Sequence, residues 1–212
     1  MRLKKVKNAD IKIKESSYII DNPFEYKGRW NELFNNDNEL EIEIGMGKGD
    51  FIIDKALRNP NINYIGIEKY DSVILRACEK LVDLDIPNLR LICIDAHKLE
   101  EVFDREVNLI YLNFSDPWPK KKHAKRRLSS NIFLDIYSKI VKGDIVIKQK
   151  TDNDLLYEYS KESYLEYGFE ILEDNIDYGM NEENHSKTEY EKKFIELGKN
   201  INYLHVIKKQ SL

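Results

Sequence analysis

From residue 39 onward the chain alternates two kinds of hydrophobic patterning. The stretch ELEIEIG (39–45) places apolar residues at every second position and ends on glycine, which predicts a strand. GDFIIDKALRN (49–59) carries Phe51, Ile52, Ala56 and Leu57 at helical spacing and stops before Pro60. INYIGIE (62–68) reads as a second strand. DSVILRACEKLVD (71–83) opens on an aspartate cap and sets Val73, Ile74, Ala77, Cys78, Leu81 and Val82 on one helical face. NLRLICID (88–95) predicts a third strand, HKLEEVF (97–103) a short helix, and VNLIYLNF (107–114) a fourth, strongly apolar strand. A helix over 129–141, a strand over 143–151 and a helix over 154–167 follow, then strands near 168–172 and 201–208. Strands alternating with helices imply βαβ units, and hence an α/β fold with a mostly parallel, doubly wound sheet.

The first 38 residues lack this rhythm and read as an N-terminal extension, basic at its start and partly mobile, ahead of a domain spanning 39–212. Length agrees with one domain: 212 residues, 42% hydrophobic and 11% aromatic, are enough for a core and exclude a disordered chain. No apolar run approaches the roughly 18 residues of a membrane span, and the start has no apolar segment of a secretory signal. The two cysteines, Cys78 and Cys93, form neither a disulfide framework nor a metal spacing, and His97, His185 and His205 are scattered, so no metal site is expected. These features point to a soluble cytoplasmic protein. The net charge of −4 hides a strongly uneven distribution: KKKHAKRR (120–127) holds six basic residues in eight positions, and residues 1–14 are also basic. Such patches can grip a polyanion locally even on an acidic protein. For the N-terminal patch, a phosphate contact and a solvated tail are equally open.

Chemistry-bearing residues fall at the predicted strand ends. Glu43, Gly45, Gly47 and Gly49 lie where the first strand turns into a helix, which allows close approach of a ligand to the backbone. A purely structural turn is the alternative. The GxGxG spacing differs from the dinucleotide GxGxxG. A carboxylate at Glu43 would repel pyrophosphate and suits a cationic ligand such as the ammonium or sulfonium of S-adenosylmethionine. Glu68 ends the second strand and could accept from ribose hydroxyls, or be a solvated charge. Asp95 ends the third, and could take the amino edge of adenine or simply cap the next helix. Three such acids on one rim of an open parallel sheet favour a ligand site. Asp116 follows the fourth strand in NFSDPWPKKKHAKRRL (113–128), where Pro117 and Pro119 stiffen the loop beside the basic run. Trp118 could brace that loop or stack on a base.

On the segments 43–49, 66–68, 95–96, 113–128, 150–153 and 188–194 (TEYEKKF), the sequence resembles the bacterial tRNA (guanine-N7)-methyltransferases, which are class I S-adenosylmethionine-dependent enzymes. The resemblance covers about residues 39–207, and the DPWPKK…KRR and TxYExKF segments are specific to that family. It implies a Rossmann-like, seven-stranded sheet with an antiparallel last strand. It implies S-adenosylmethionine bound by Glu43, Gly45, Gly47, Glu68, Asp95 and Asp116, with Asp116 also catalytic. It further implies a target nucleotide met by Lys120, Asp152, Thr188, Glu189, Tyr190 and Glu191, and a tRNA backbone held along Lys122, His123, Ala124, Lys125, Arg126 and Arg127. The product it implies is 7-methylguanosine in the variable loop of tRNA. No obligate protein partner and no membrane follow from it, and the enzyme would be a monomer or homodimer.

Three rivals use related parts. A nicotinamide oxidoreductase shares the strand–glycine–helix unit, but Glu43 and the glycine spacing oppose it. An exocyclic-amine methyltransferase has a similar acidic, proline-bearing loop. A non-catalytic RNA-binding protein has no need of three strand-end acids.

Overall fold

The computed structural model describes residues 5–178 and 200–210. Seven strands form one sheet: β1 (Leu40–Ile44), β2 (Asn63–Glu68), β3 (Leu89–Cys93), β4 (Leu109–Asn113), β5 (Ile145–Thr151), β6 (Glu170–Asn175) and β7 (Asn202–Lys208). Their spatial order is β3-β2-β1-β4-β5-β7-β6. β7 runs antiparallel to both β5 and β6, and the remaining pairs are parallel. The helices are α1 (Ala9–Lys12), α2 (Trp30–Phe34), α3 (Asp50–Arg58), α4 (Asp71–Leu81), α5 (Leu99–Val102), α6 (Asn131–Ile140) and α7 (Asp154–Tyr167). One core lies between the sheet and α2, α5, α6 and α7, and a second between the sheet and α1, α3 and α4. The expected strands and helices after residue 39 are present, shorter by a residue or two at most ends. The order reverses direction between β1 and β4, so the crevice of this sheet opens at the carboxyl ends of those two strands.

Alternation in β1 does not mean one solvated face, because every residue of that strand is buried. Leu40, Ile42 and Ile44 enter the first core. Glu41 faces the other side, where it accepts the Tyr111 hydroxyl at 2.8 Å and lies 3.9 Å from the Lys55 ammonium. A buried carboxylate is tolerable only when paired in this way.

The segment before β1 is anchored rather than loose. Trp30 is 1% exposed and donates its indole N–H to the Val102 carbonyl at 3.0 Å. Its ring packs on Phe103, and Glu106 accepts the backbone N–H groups of Gly28 and Trp30. Upstream, Ile19 bridges to Leu91, and the Tyr18 hydroxyl ties the Leu84 carbonyl to the Ile86 N–H. The basic side chains of Lys5, Lys7, Lys12 and Lys14 stay exposed. No helix among the described residues is long and apolar enough to cross a membrane.

Candidate active site

The site is built where β1, β2 and β4 end. Glu43 is 1% exposed. One of its carboxylate oxygens accepts from the Asn113 side chain across the β1–β4 switch point at 2.8 Å, and the other, Oε2, has no hydrogen-bond partner among the described residues. Burial pushes its carboxyl up to about 8, against the opposing pull of Asn113 and the Lys150 ammonium. The chain then leaves the strand through Gly45 and Gly47, both at positive φ (+77° and +58°). A Cβ at either position would meet nothing within 4 Å, so open space lies over the turn. Gly49 (φ +78°) starts α3, and a Cβ there would stand 3.0 Å from Ala77.

Glu68 closes the rim from β2. It accepts the Gly47 N–H at 3.1 Å and the Lys69 and Tyr70 N–H groups at 2.8 and 3.0 Å. Burial still raises its carboxyl, despite these donors, and the Asp116 charge adds to the rise. Glu68 and Asp116 are thus close enough to sense each other. Asp116 itself is exposed just past β4.

Asp95 is already engaged. It caps the turn at Ala96–Lys98 through the His97 N–H, touches the His97 imidazole at 2.7 Å and pairs with Lys69 at 2.6 Å. Burial works against ionisation, but these donors outweigh it and hold the carboxyl well below the usual range. The cap reading of Asp95 is therefore met, and any ligand group reaching this carboxylate would have to share it with Lys69.

The basic run folds as a 3₁₀ turn, Lys121–Arg126, beside the Asp116 loop. Lys120, Lys121, Lys122, Lys125 and Arg126 are exposed, and His123 and Ala124 are half-buried. Arg126 lies over the Trp118 ring at 4.9 Å, and His123 meets the same ring edge-on. Arg127 departs from the strip: it is 8% exposed and points inward. Asp152 is half-buried after β5, next to the Asn153 cap of α7. Thr188, Glu189, Tyr190 and Glu191 lie outside the described residues. Among the described residues no group of three or more His, Cys, Asp or Glu side chains is gathered to hold a metal.

Several residues inside the segments that carry the resemblance were given no role of their own from the sequence. Asn113 orients Glu43, and its signal is a polar residue that ends an apolar strand. Lys150, 5% exposed on β5, lies over the rings of Phe51 and Tyr178 and exerts its charge on Glu43. Gly66 leaves room for Met46, whose sulfur would be 2.3 Å from any Cβ there. That packing of Met46 on β2 helps set the path of the glycine turn.

Comparison with known proteins agrees with this architecture. The family model described as "Putative methyltransferase" matches residues 37–204. A tRNA (guanine-N(7)-)-methyltransferase from Geobacillus sp. (strain WCH70) is 50% identical over 186 residues, 87% of this chain and 84% of the relative. The enzyme of the same name from Bacillus subtilis (strain 168) is 47% identical over 204 residues, 95% of this chain and 96% of that one. The chain belongs to the tRNA (guanine-N(7)-)-methyltransferase family. Solved structures with the same fold include the 16S rRNA methyltransferase KamB, with a TM-score of 0.66 at 12% identity over 87% of this chain and 94% of that one. Another is a 16S rRNA (adenine(1408)-N(1))-methyltransferase from Catenulisporales acidiphilia with cosubstrate SAM, with a TM-score of 0.62 at 13% identity over 86% and 91%. At those identities the likeness extends to the fold, whereas the family likeness spans nearly the full chain.

Proposed function

We infer that this protein is a soluble, cytoplasmic enzyme that transfers a methyl group from S-adenosylmethionine to N7 of a guanine in tRNA. The observation that carries the cofactor reading is the unpartnered, buried Glu43 oxygen beneath an open glycine turn. An orphaned buried acceptor costs stability unless a ligand satisfies it, and a cationic ligand end suits a carboxylate. Glu43 would meet the ammonium end, the Gly45–Gly47 backbone would line the carrier, Glu68 would take the ribose hydroxyls, and Asp95 the adenine amino edge. When bound, S-adenosylmethionine supplies an activated methyl on a sulfonium.

The remaining work belongs to the chain. Guanine N7 carries a lone pair and no proton, so no residue need act as a base on the nucleophile. Orientation is the main task, and held attack geometry is worth up to about 7–11 kcal/mol. Positive charge develops on the guanine ring during transfer. Asp116, exposed at the rim, and Asp152, beyond β5, can stabilise it electrostatically. The exposed lysines at 120–122 and 125 supply a track for phosphates, which provide most of the sequence-independent affinity for RNA. The expected target, the variable-loop guanine, rests on the family.

Incubation with unmodified tRNA and labelled S-adenosylmethionine, followed by digestion to nucleosides, tests the reading. Label in 7-methylguanosine is the expected result. Label in a base methylated on an exocyclic amine, or no label in RNA, would reject it.

A further inference from the structure

Within the basic run, Arg127 does something different from its neighbours. Its guanidinium is turned away from solvent and donates from Nε to the Pro117 carbonyl and from Nη2 to the Trp118 carbonyl, both at 3.0 Å. Its guanidinium carbon lies over the Tyr159 ring on α7, 4.1 Å from the ring centre. The turn it grips is strained: Trp118 sits at φ +42° and Phe114 at φ +50°, in the left-handed region that bulky side chains seldom occupy. Such a conformation persists only when its surroundings over-determine it. Arg126 covers the Trp118 ring from outside, whereas Arg127 fixes the backbone from within. Beyond Arg127 the chain is tied to the same helix by Ser129 to Ser160 at 2.7 Å and by the Ser163 hydroxyl to the Ser129 carbonyl, also at 2.7 Å. The guanidinium fork therefore bridges a rigid helix and the turn that carries Asp116.

We propose that Arg127 is a positioning residue for methyl transfer: it locks the 116–119 turn so that Asp116 faces the target base, and it makes no contact with tRNA phosphate. This rests on the functional reading above. A fork that donates from two nitrogens to two carbonyls while lying over an aromatic ring cannot be replaced by a lysine, which keeps the charge but not the fixed spread of donors. Misplacement of a reacting group by about 1 Å can cost roughly 10²-fold in rate.

The test compares Arg127→Lys and Arg127→Gln with Lys121→Ala and Lys125→Ala. For each, kcat, KM for tRNA, tRNA affinity across a salt series, and S-adenosylhomocysteine binding by calorimetry are measured. Both Arg127 variants should lose about 10²-fold in kcat, keep KM and tRNA affinity within about 3-fold, and leave the salt slope unchanged. The lysine variants should do the reverse, each lowering the slope by about 0.9. Rescue of kcat by Arg127→Lys to within about 3-fold of wild type would overturn the proposal. So would a loss in tRNA affinity with a shallower salt slope. Abolished S-adenosylhomocysteine binding in Arg127→Lys also counts against it, because unpinning the Asp116 turn should leave the Glu43–Glu68 side of the sheet intact and cost the ligand one contact at most. If wild type makes no 7-methylguanosine, the functional reading fails separately, and the tRNA affinities still decide whether Arg127 touches phosphate.

Discussion

Substituting Glu43 by glutamine gives a direct reading of the buried carboxyl. In the fold without ligand its pKa is raised from 4.5 to about 8, chiefly by burial. The folded state therefore binds this proton more tightly than the unfolded chain. The resulting stability is fully present below pH 4.5 and is lost as pH rises towards 8. At about 1.4 kcal/mol per unit the full loss approaches roughly 5 kcal/mol, of which about 2 kcal/mol falls between pH 6 and pH 8. Glutamine is neutral throughout and lacks this dependence. It does place an amide where Oε2 finds no partner, but that cost does not change with pH and cancels from the slope. For a protein of this size, 2 kcal/mol corresponds to about 4–8 °C in melting temperature. Thermal melts of both proteins at pH 6, 7 and 8 should show the Tm of Glu43→Gln rising relative to wild type by that amount. Saturating S-adenosylmethionine should shrink the trend, because a cation beside the carboxylate favours its charged form. A Tm difference that stays flat with pH would refute the reasoning, since it would mean that Glu43 is ionised and satisfied before any ligand arrives.

The turn and the acid at the rim make two further expectations. Gly66→Ala drives a Cβ to 2.3 Å from the Met46 sulfur and 2.9 Å from Leu91, an overpacking worth about 1–3 kcal/mol, and it should weaken S-adenosylmethionine binding; adding Met46→Ala should restore part of both by calorimetry and melting, and no restoration would separate Gly66 from the turn. Asp116→Asn should lower kcat at saturating substrates while KM for tRNA stays within about 3-fold, because the side chain acts on the charge that develops during transfer; an unchanged kcat would remove Asp116 from the transfer step.

How much of this was legible beforehand varied with the kind of signal. The periodic elements after residue 39 were readable because each buries a face within its own length. The N-terminal segment was not, since α1 and α2 are short and the segment is held at Ile19 and Trp30 by distant partners, Leu91, Val102 and Glu106. The strand-end acids could be placed on one rim from the alternation alone. Their individual states could not: one Glu43 oxygen takes Asn113 and the other has no partner among the described residues, Glu68 is held by three backbone N–H groups and Asp95 is paired with Lys69. Each state depends on a neighbour from another strand or loop. A run of like charges likewise says nothing about which way each side chain turns, so Arg127 could not be told from Lys125. The antiparallel last strand came from the family resemblance, as a strand's direction leaves no mark in its own hydrophobic pattern.

What the rim of the sheet holds decides how this protein works. Crystals soaked with S-adenosylhomocysteine should show its amino group at Glu43, its ribose at Glu68 and its backbone contacts over Gly45–Gly47. Density for the ligand anywhere else on the molecule, with those side chains left as they are in the free protein, would contradict it.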